Sequence, residues 1–336
     1  MPISPRPIVA HLAGGLTVAI FLSSCASTPE PPPAADPSAA SQSSTATAQP
    51  TPVPSSPGTP AQPSPSESAR PFESTAALRT IEQLAALGPR EATSAAYRQG
   101  TDLTATALER LGYSVTRQEF DVPAGTSWGI PVPAGITHNV IADPPGFEPT
   151  QPHVLIGAHL DTVPQSPGAE DNASGVAVLL ELARMSAEQP PAVPVRFVVF
   201  GAEEPRGQGD ARHHYGSQHY VAQLHDHEKQ AIRAMVSLDR VGVRAPAVPL
   251  AHGGRGTDRI ARALAEAAPA DVPTRLDANT TSDHWSFEKA GIPAGRVGSV
   301  PFEGYHSPGD VPAVIDQTQL GRAGTVVWAW LRTVQG

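Results

Sequence analysis

Two nearly continuous apolar runs, His153–Gly157 (HVLIG) and Val195–Phe200 (VRFVVF), constrain this chain more than any other feature. A strand with one wet face alternates apolar and polar residues. A strand that is apolar throughout must be covered on both faces, as are the central strands of a sheet lying between helices. Met235–Leu238 has the same character. Helical patterns surround these runs. One opens at Ser74-Thr75, carries Leu78, Ile81, Leu84 and Leu87 on one face and stops at Gly88-Pro89. Others cover Ser94–Leu111, Gly175–Ala187, Ser217–Leu224, Thr257–Ala267 and Gln317–Arg332. Further strands are predicted at Ser114–Phe120 and Asn139–Ala142. Strands alternating with helices predict an α/β fold: a three-layer sandwich whose central sheet is mixed, mostly parallel and flanked by helices. In such folds ligands gather at the carboxyl ends of the strands.

The globular pattern fills only part of the 336 residues. Many of the 38 prolines fall between Ala26 and Arg70, where Val53 is the only large aliphatic residue and no aromatic one occurs. Such a segment cannot bury enough apolar surface to offset its ordering entropy, and it reads as a disordered stalk. Before it, Ile8–Leu22 is apolar apart from His11 and Thr17. That is short of the roughly 20 residues a spanning helix needs, and it fits the core of a signal peptide. The next residues, Leu22-Ser23-Ser24-Cys25, resemble the bacterial lipoprotein processing signal, and Cys25 is the only cysteine. The expected organisation is a lipoprotein signal peptide over 1–24, lipidated Cys25 with the stalk over 25–70, and one domain over 71–336, exported and held on the outer face of the cell membrane. A single cysteine excludes internal disulfides and thiolate zinc sites. With 23 basic against 32 acidic residues the net charge is −9, which speaks against a nucleic-acid partner.

Polar residues follow the apolar runs. After HVLIG come His159 and Asp161, then Gly168-Ala169-Glu170-Asp171-Asn172-Ala173-Ser174-Gly175. After VRFVVF come Glu203 and Glu204, and the third run ends at Asp239. Tyr305-His306-Ser307-Pro308-Gly309-Asp310 stands near the C-terminus. Each fragment alone has a plain reading: a structural His–Asp pair, helix-cap chemistry at Asp171 and Ser174, a solvated Glu-Glu pair. Together, three buried-type strands deliver carboxylates or imidazoles at one end, which a solvated face does not require. Oxygen and imidazole donors without thiolate suit Zn²⁺, with Co²⁺ or Mn²⁺ as substitutes. Two histidines and three carboxylates suffice for two ions if one carboxylate bridges.

The stretches AHLDTV, SPGAEDNASG, RFVVFGAEE, SLDRVG, SDHWSF followed by AGIP, and YHSPGD occur in that order. In this the chain resembles the secreted bacterial double-zinc aminopeptidases of metallopeptidase family 28, from about Thr75 onward. The resemblance implies two Zn²⁺ per chain: His159 and Asp239 hold one, Glu204 and His306 the other, and Asp171 bridges them. It implies that Asp161 accepts the second N–H of the His159 imidazole, that Glu203 is the general base and that Tyr305 donates to the oxyanion. The implied substrates are peptides with a free N-terminus, cleaved at the first peptide bond by a monomer. The alternatives are a glutaminyl cyclase or a carboxypeptidase or dipeptidase on the same scaffold, and a non-catalytic binding lipoprotein. One departure is the Pro205–Tyr215 segment, longer than the usual link, which brings His213 and His214 near the expected site. With His225 and His227 these open the alternative of a further metal site. Ser282-Asp283-His284 reads either as pocket wall or as a support behind the ligands, or else as a helix start capped by Asp283.

Overall fold

A computed structural model describes residues 70–254 and 258–335. The expected signal peptide, Cys25 and all of the stalk but Arg70 lie outside the described residues, as does Thr257. In chain order the elements are α1 (Ser74–Ala85), α2 (Ala95–Arg110), β1 (Ser114–Val122), β2 (Gly125–Ser127), β3 (Ile130–Val132), β4 (Gly135–Asp143), β5 (His153–His159) and α3 (Gly175–Glu188). They continue with β6 (Val195–Phe200), α4 (Tyr215–Gln223), α5 (Asp226–Ala231), β7 (Ile232–Asp239), β8 (Val248–His252), α6 (Arg259–Ala267), β9 (Thr274–Ala278), α7 (His284–Lys289), β10 (Ala294–Gly298) and α8 (Gln317–Leu331).

Eight strands form one mixed sheet in the order β1-β4-β6-β5-β7-β10-β8-β9. The central four, β6-β5-β7-β10, are mutually parallel, so their carboxyl ends open on one edge. Strands β4 and β8 join this block antiparallel.

The apolar runs are continuous because their side chains serve two cores in alternation. On β6, Val195, Phe197 and Val199 enter one cluster with α1, α2, α3, α6 and α8. Val198 and Phe200 enter another with Tyr220 of α4 and Phe287 of α7. On β5 and β7, Ile156 and Val236 face the first cluster while Leu155 and Met235 face the second. Burying a large side chain such as Phe197 contributes about 1.5–3 kcal/mol, so this two-sided packing is what holds the strand ends in register. The result is the three-layer α/β sandwich that the alternation predicts.

The sequence reading missed the short hairpin β2–β3 and the strands β8, β9 and β10. These are three to five residues long and carry no strong period. On α1 the buried face is Ala77, Ile81, Leu84 and Ala85, whereas the expected Leu78 and Leu87 are half-buried. Among the described residues no helix is long and apolar enough to cross a membrane.

Candidate metal centre

The parallel strands end in the polar residues. His159 closes β5 and Asp239 closes β7, Glu203 and Glu204 follow β6 by three and four residues, Asp171 lies between β5 and α3, and His306 lies between β10 and α8. Local chemistry fixes each. Both oxygens of the Asp161 carboxylate accept backbone N–H groups, from Glu203 at 2.9 Å and Glu204 at 3.0 Å. The Asp310 carboxylate does the same for Glu170 (2.6 Å) and Asp171 (3.0 Å). The Asn172 amide ties this turn to the end of β7: Oδ1 accepts from Gly175 and Arg240, and Nδ2 donates to the Leu238 carbonyl. Ser174 stands at the N-cap of α3 without a side-chain cap bond, and the Asn172 amide oxygen instead accepts from the first helical residue, Gly175. Ala202 and His306 adopt left-handed backbone (φ 53° and 52°), a conformation costly for residues with a Cβ and concentrated at functional sites.

Two donor groups result, His159–Asp171–Asp239 and Asp171–Glu204–His306, each with its ligand atoms within 4.8 Å of one another. Asp171 belongs to both. Its Oδ1 lies 3.2 Å from His159 Nε2 and its Oδ2 lies 3.1 Å from His306 Nε2. His159 Nε2 is 3.7 Å from Asp239 Oδ1, and His306 Nε2 is 3.3 Å from Glu204 Oε1. Glu204 Oε1, Asp239 Oδ1 and His306 Nε2 are buried and complete no hydrogen bond. Buried polar atoms are ordinarily paired, and convergent orphans with imidazole and carboxylate chemistry suit divalent cations of the zinc type.

The electrostatics carry the same signature. Burial would lower the His159 pKa, yet Glu203, Asp161, Asp171 and Asp239 hold it well above the ordinary value. Burial likewise opposes the raising of His306, which Glu204 and Asp171 push up to about 10. Asp171 is held well below the carboxylate range by His159 and His306 against the effect of burial. Glu204 and Glu203 are each pushed up to about 8, first by burial. These carboxylates and imidazoles compete for protons in the space where a cation would satisfy them all.

Residues 139–331, which include Asp171, Glu203, Glu204, Asp239 and His306, match the sequence profile of peptidase family M28. The chain belongs to peptidase family M28. The aminopeptidase YwaD of Bacillus subtilis is 34% identical over 188 residues, covering 52% of this chain and 40% of YwaD, so the M28 chain spans less than half of that relative's length. The solved structure of BSAP, a zinc aminopeptidase from Bacillus subtilis, superposes with a TM-score of 0.68 at 22% identity, over 77% of this chain and 94% of that one. A glutaminyl cyclase of Bacteroides thetaiotaomicron superposes equally well, with a TM-score of 0.67 at 21% identity over 80% of this chain and all of the other. At these identities the likeness is one of fold.

Around the donors, the M28 chain places Glu203 outside both groups, with Oε2 4.0 Å from His159 Nε2. The Asp161 carboxylate lies 3.7 Å from His159 Nδ1, whose nearer neighbour is the Asp161 carbonyl at 3.2 Å. The carboxylate thus serves the Glu203-Glu204 backbone more directly than the imidazole. Tyr305 stacks on the His306 ring at 3.6 Å between centroids and lines the cavity, which measures about 270 Å³.

Several residues of the site escaped the sequence reading. The YHSPGD stretch gives no sign of what Asp310 does. Arg90 is fully buried and donates to Leu84, Leu160, Pro167 and Gly168 carbonyls, bracing the loop before Asp171. Trp128, at the tip of the β2–β3 hairpin, sets its ring 4.4 Å from that of His306. The long Pro205–Tyr215 segment carries the nearly buried Arg206, which donates to Pro123 and Pro133 carbonyls and to Glu91, clamping that hairpin. In the same segment His214 turns inward with Nε2 3.3 Å from Glu203 Oε1. Asp283 sits at the start of α7 but makes no capping hydrogen bond. Its carboxylate is fully buried with both oxygens unpaired, and Asp283 is not among the residues that line the cavity. Among the described residues no metal-binding group includes His213, His214, His225 or His227. His225 instead caps α5, with its backbone N–H bonded to Glu228.

Proposed function

We propose that the M28 chain is a metallo-aminopeptidase that removes the N-terminal residue of peptides at a two-zinc centre. One observation carries this: Asp171 offers one oxygen to each of two donor groups, while Glu203, beside both, belongs to neither. The names of curated relatives such as YwaD support the activity. His159 and Asp239 would hold one ion, Glu204 and His306 the other, and Asp171 would bridge. When bound, such a pair supplies Lewis-acid activation of a water and of the scissile carbonyl. Glu203 then has the geometry of a general base, its carboxylate facing the donor groups and held in place through its own backbone N–H by Asp161. It takes the proton from the attacking water and returns it to the leaving amine. Tyr305, at the cavity wall, donates its phenol O–H to the oxyanion of the tetrahedral intermediate. The substrate ammonium is met by Asp239 and Glu203, so that only a free N-terminus fits.

The Leu22-Ser23-Ser24-Cys25 sequence supports a lipid-anchored, extracytoplasmic placement, with the catalytic domain carried on residues 25–70 as a stalk. Cys25→Ala then releases the protein from the membrane fraction or blocks its processing. Unchanged attachment overturns the anchor.

The deciding experiment sets aminoacyl-nitroanilides beside N-acetylated controls and an N-terminal glutaminyl peptide, with bound metal counted on the same sample. The expected result is release of nitroaniline from free-amine substrates only, with two zinc per chain. Ammonia release with cyclisation of the glutaminyl peptide, and no hydrolysis, assigns the cyclase chemistry instead.

A further inference from the structure

Two guanidinium groups stand in the cavity wall beside Asp239, and the hydrolytic scheme uses neither. Arg296, on β10, is fully buried and engaged within the protein. Its Nη2 lies 3.1 Å from Asp239 Oδ1, and its Nη1 donates to Asn279 Oδ1 and to Thr281. Arg240 is different. It follows Asp239 in left-handed backbone (φ 58°), with its guanidinium 4.3 Å over the Tyr305 ring. Its Nη2 donates to Ser299 Oγ at 2.8 Å, while its Nε is 3.9 Å from Asp239 Oδ1, beyond hydrogen-bond reach. Among the described residues Asp239 is the only carboxylate within ion-pair distance of either guanidinium, and Arg296 is the closer of the two.

We infer that Arg240 forms a subsite for a carboxylate of the substrate. The carboxylate comes either from the side chain of an N-terminal Asp or Glu or from the C-terminus of a short peptide. This deepens the peptidase reading and rests on it. A guanidinium beside a centre that collects cations and receives an ammonium raises the local positive potential. It disfavours a substrate that brings only its ammonium and favours one that brings an anion as well. For an apolar side chain an aliphatic wall would serve without the cost of desolvating a guanidinium. The arginine fork matches a carboxylate bidentately, and stacking on Tyr305 with one bond to Ser299 fixes the plane of the fork in advance. The cavity of about 270 Å³ lies at the small end of ligand pockets. An anion carried within a residue or so of the reacting bond is therefore within reach of Arg240.

The test uses the full metal-loaded chain and pairs that differ in one carboxylate. These are glutamyl- against glutaminyl-nitroanilide for the side chain, and Leu-Gly against Leu-Gly-amide for the C-terminus. Calorimetric binding of free glutamate against glutamine gives a readout that needs no turnover. The carboxylate member is expected to be favoured at least tenfold in kcat/KM in one substrate pair, and glutamate to bind more tightly than glutamine if the side chain is the source. Arg240→Leu is expected to cut that ratio by tenfold or more at unchanged metal content, and Arg240→Lys to cut it less. Should Arg240→Leu fail to fold or to hold metal, Arg240→Gln, which retains a donor toward Ser299, carries the same expectation. Absence of any carboxylate preference, or a preference that survives the loss of Arg240 with metal intact, overturns the subsite. Preferential binding of glutamate with no hydrolysis of any substrate leaves the subsite standing and removes the peptidase reading.

Discussion

The Nε2 of His214 stands 3.3 Å from Oε1 of Glu203, and behind it lies the unpaired carboxylate of Asp283. His214 is nearly fully buried, and burial lowers its pKa, with Asp283 the main opposing influence. His214 Nε2 completes no hydrogen bond in this structure, but a neutral imidazole at this distance is placed to form one with Glu203 and so to orient its carboxylate.

His214→Leu is therefore expected to lower kcat by up to about tenfold with KM little changed, because an ordinary hydrogen bond contributes about 0.5–1.5 kcal/mol. His214→Gln, which returns a donor near the same place, recovers part of the loss. Steady-state kinetics on both variants check this. A KM effect without a kcat effect would place His214 in substrate binding instead.

Asp310 holds the Asp171 turn from behind. Its two oxygens accept the N–H groups of Glu170 and Asp171, so the turn that carries Asp171 is positioned by a residue 139 positions away. Partners behind the ligands commonly cost 10–100-fold in metal affinity when removed. Asp310→Ala is expected to weaken zinc binding by about that factor. Competition against a chromophoric chelator measures it, and wild-type affinity would show that the turn holds itself.

Much of this architecture was legible because strand, turn and ligand lie close together in sequence. HVLIG ending at His159 and VRFVVF running into Glu203-Glu204 announce both the central strands and the edge where the site forms. Residues that work from elsewhere announced nothing. Arg90 reads as an ordinary surface arginine until its side chain is seen surrounded by four carbonyls. Trp128 reaches His306 only through the folding of a hairpin too short to show a period. The Pro205–Tyr215 segment was visible as an unusual length, but composition does not say that Arg206 and His214 point inward. The sequence leaves Asp283 open between a helix cap, the usual role of aspartate at a helix start, and a place in or behind the pocket. What speaks against the cap is its burial beside Glu203 and His214 without a capping bond.

Asp283 also sets a pH dependence. Burial, with the charge of Glu203 adding to it, pushes its carboxyl up to about 7, whereas an unfolded aspartate titrates near 3.9. The folded state thus holds one more proton than the unfolded state between these values, and stability falls as pH rises through the window. The contribution is fully present below about pH 4 and lost above about pH 7, with a ceiling of about 4 kcal/mol. Asp283→Asn removes the titration. Thermal melts from pH 4.5 to 8 are expected to show wild type losing stability more steeply than the variant. Parallel slopes would mean that Asp283 is ionised throughout and paired with His214.

Glu203 and Glu204 are adjacent, share the Asp161 anchor and are assigned opposite tasks, which makes them the sharpest test of the site. Glu204 Oε1 faces His306 Nε2 at 3.3 Å within a donor group, while Glu203 lies outside both groups. Glu203→Gln is nearly isosteric and keeps the backbone bond to Asp161, so metal content is expected to stay near wild type and KM to change little. The amide cannot take a proton from water, and general-base catalysis typically supplies about 10²–10⁴-fold, so kcat is expected to fall by at least that order. Glu204→Gln is expected to show the reverse order of effects, with metal lost first and activity restored in part by excess zinc. Elemental analysis beside steady-state kinetics reads both. Metal lost at Glu203 and retained at Glu204 would exchange their roles, and hydrolysis undiminished in both variants would remove the two-zinc mechanism.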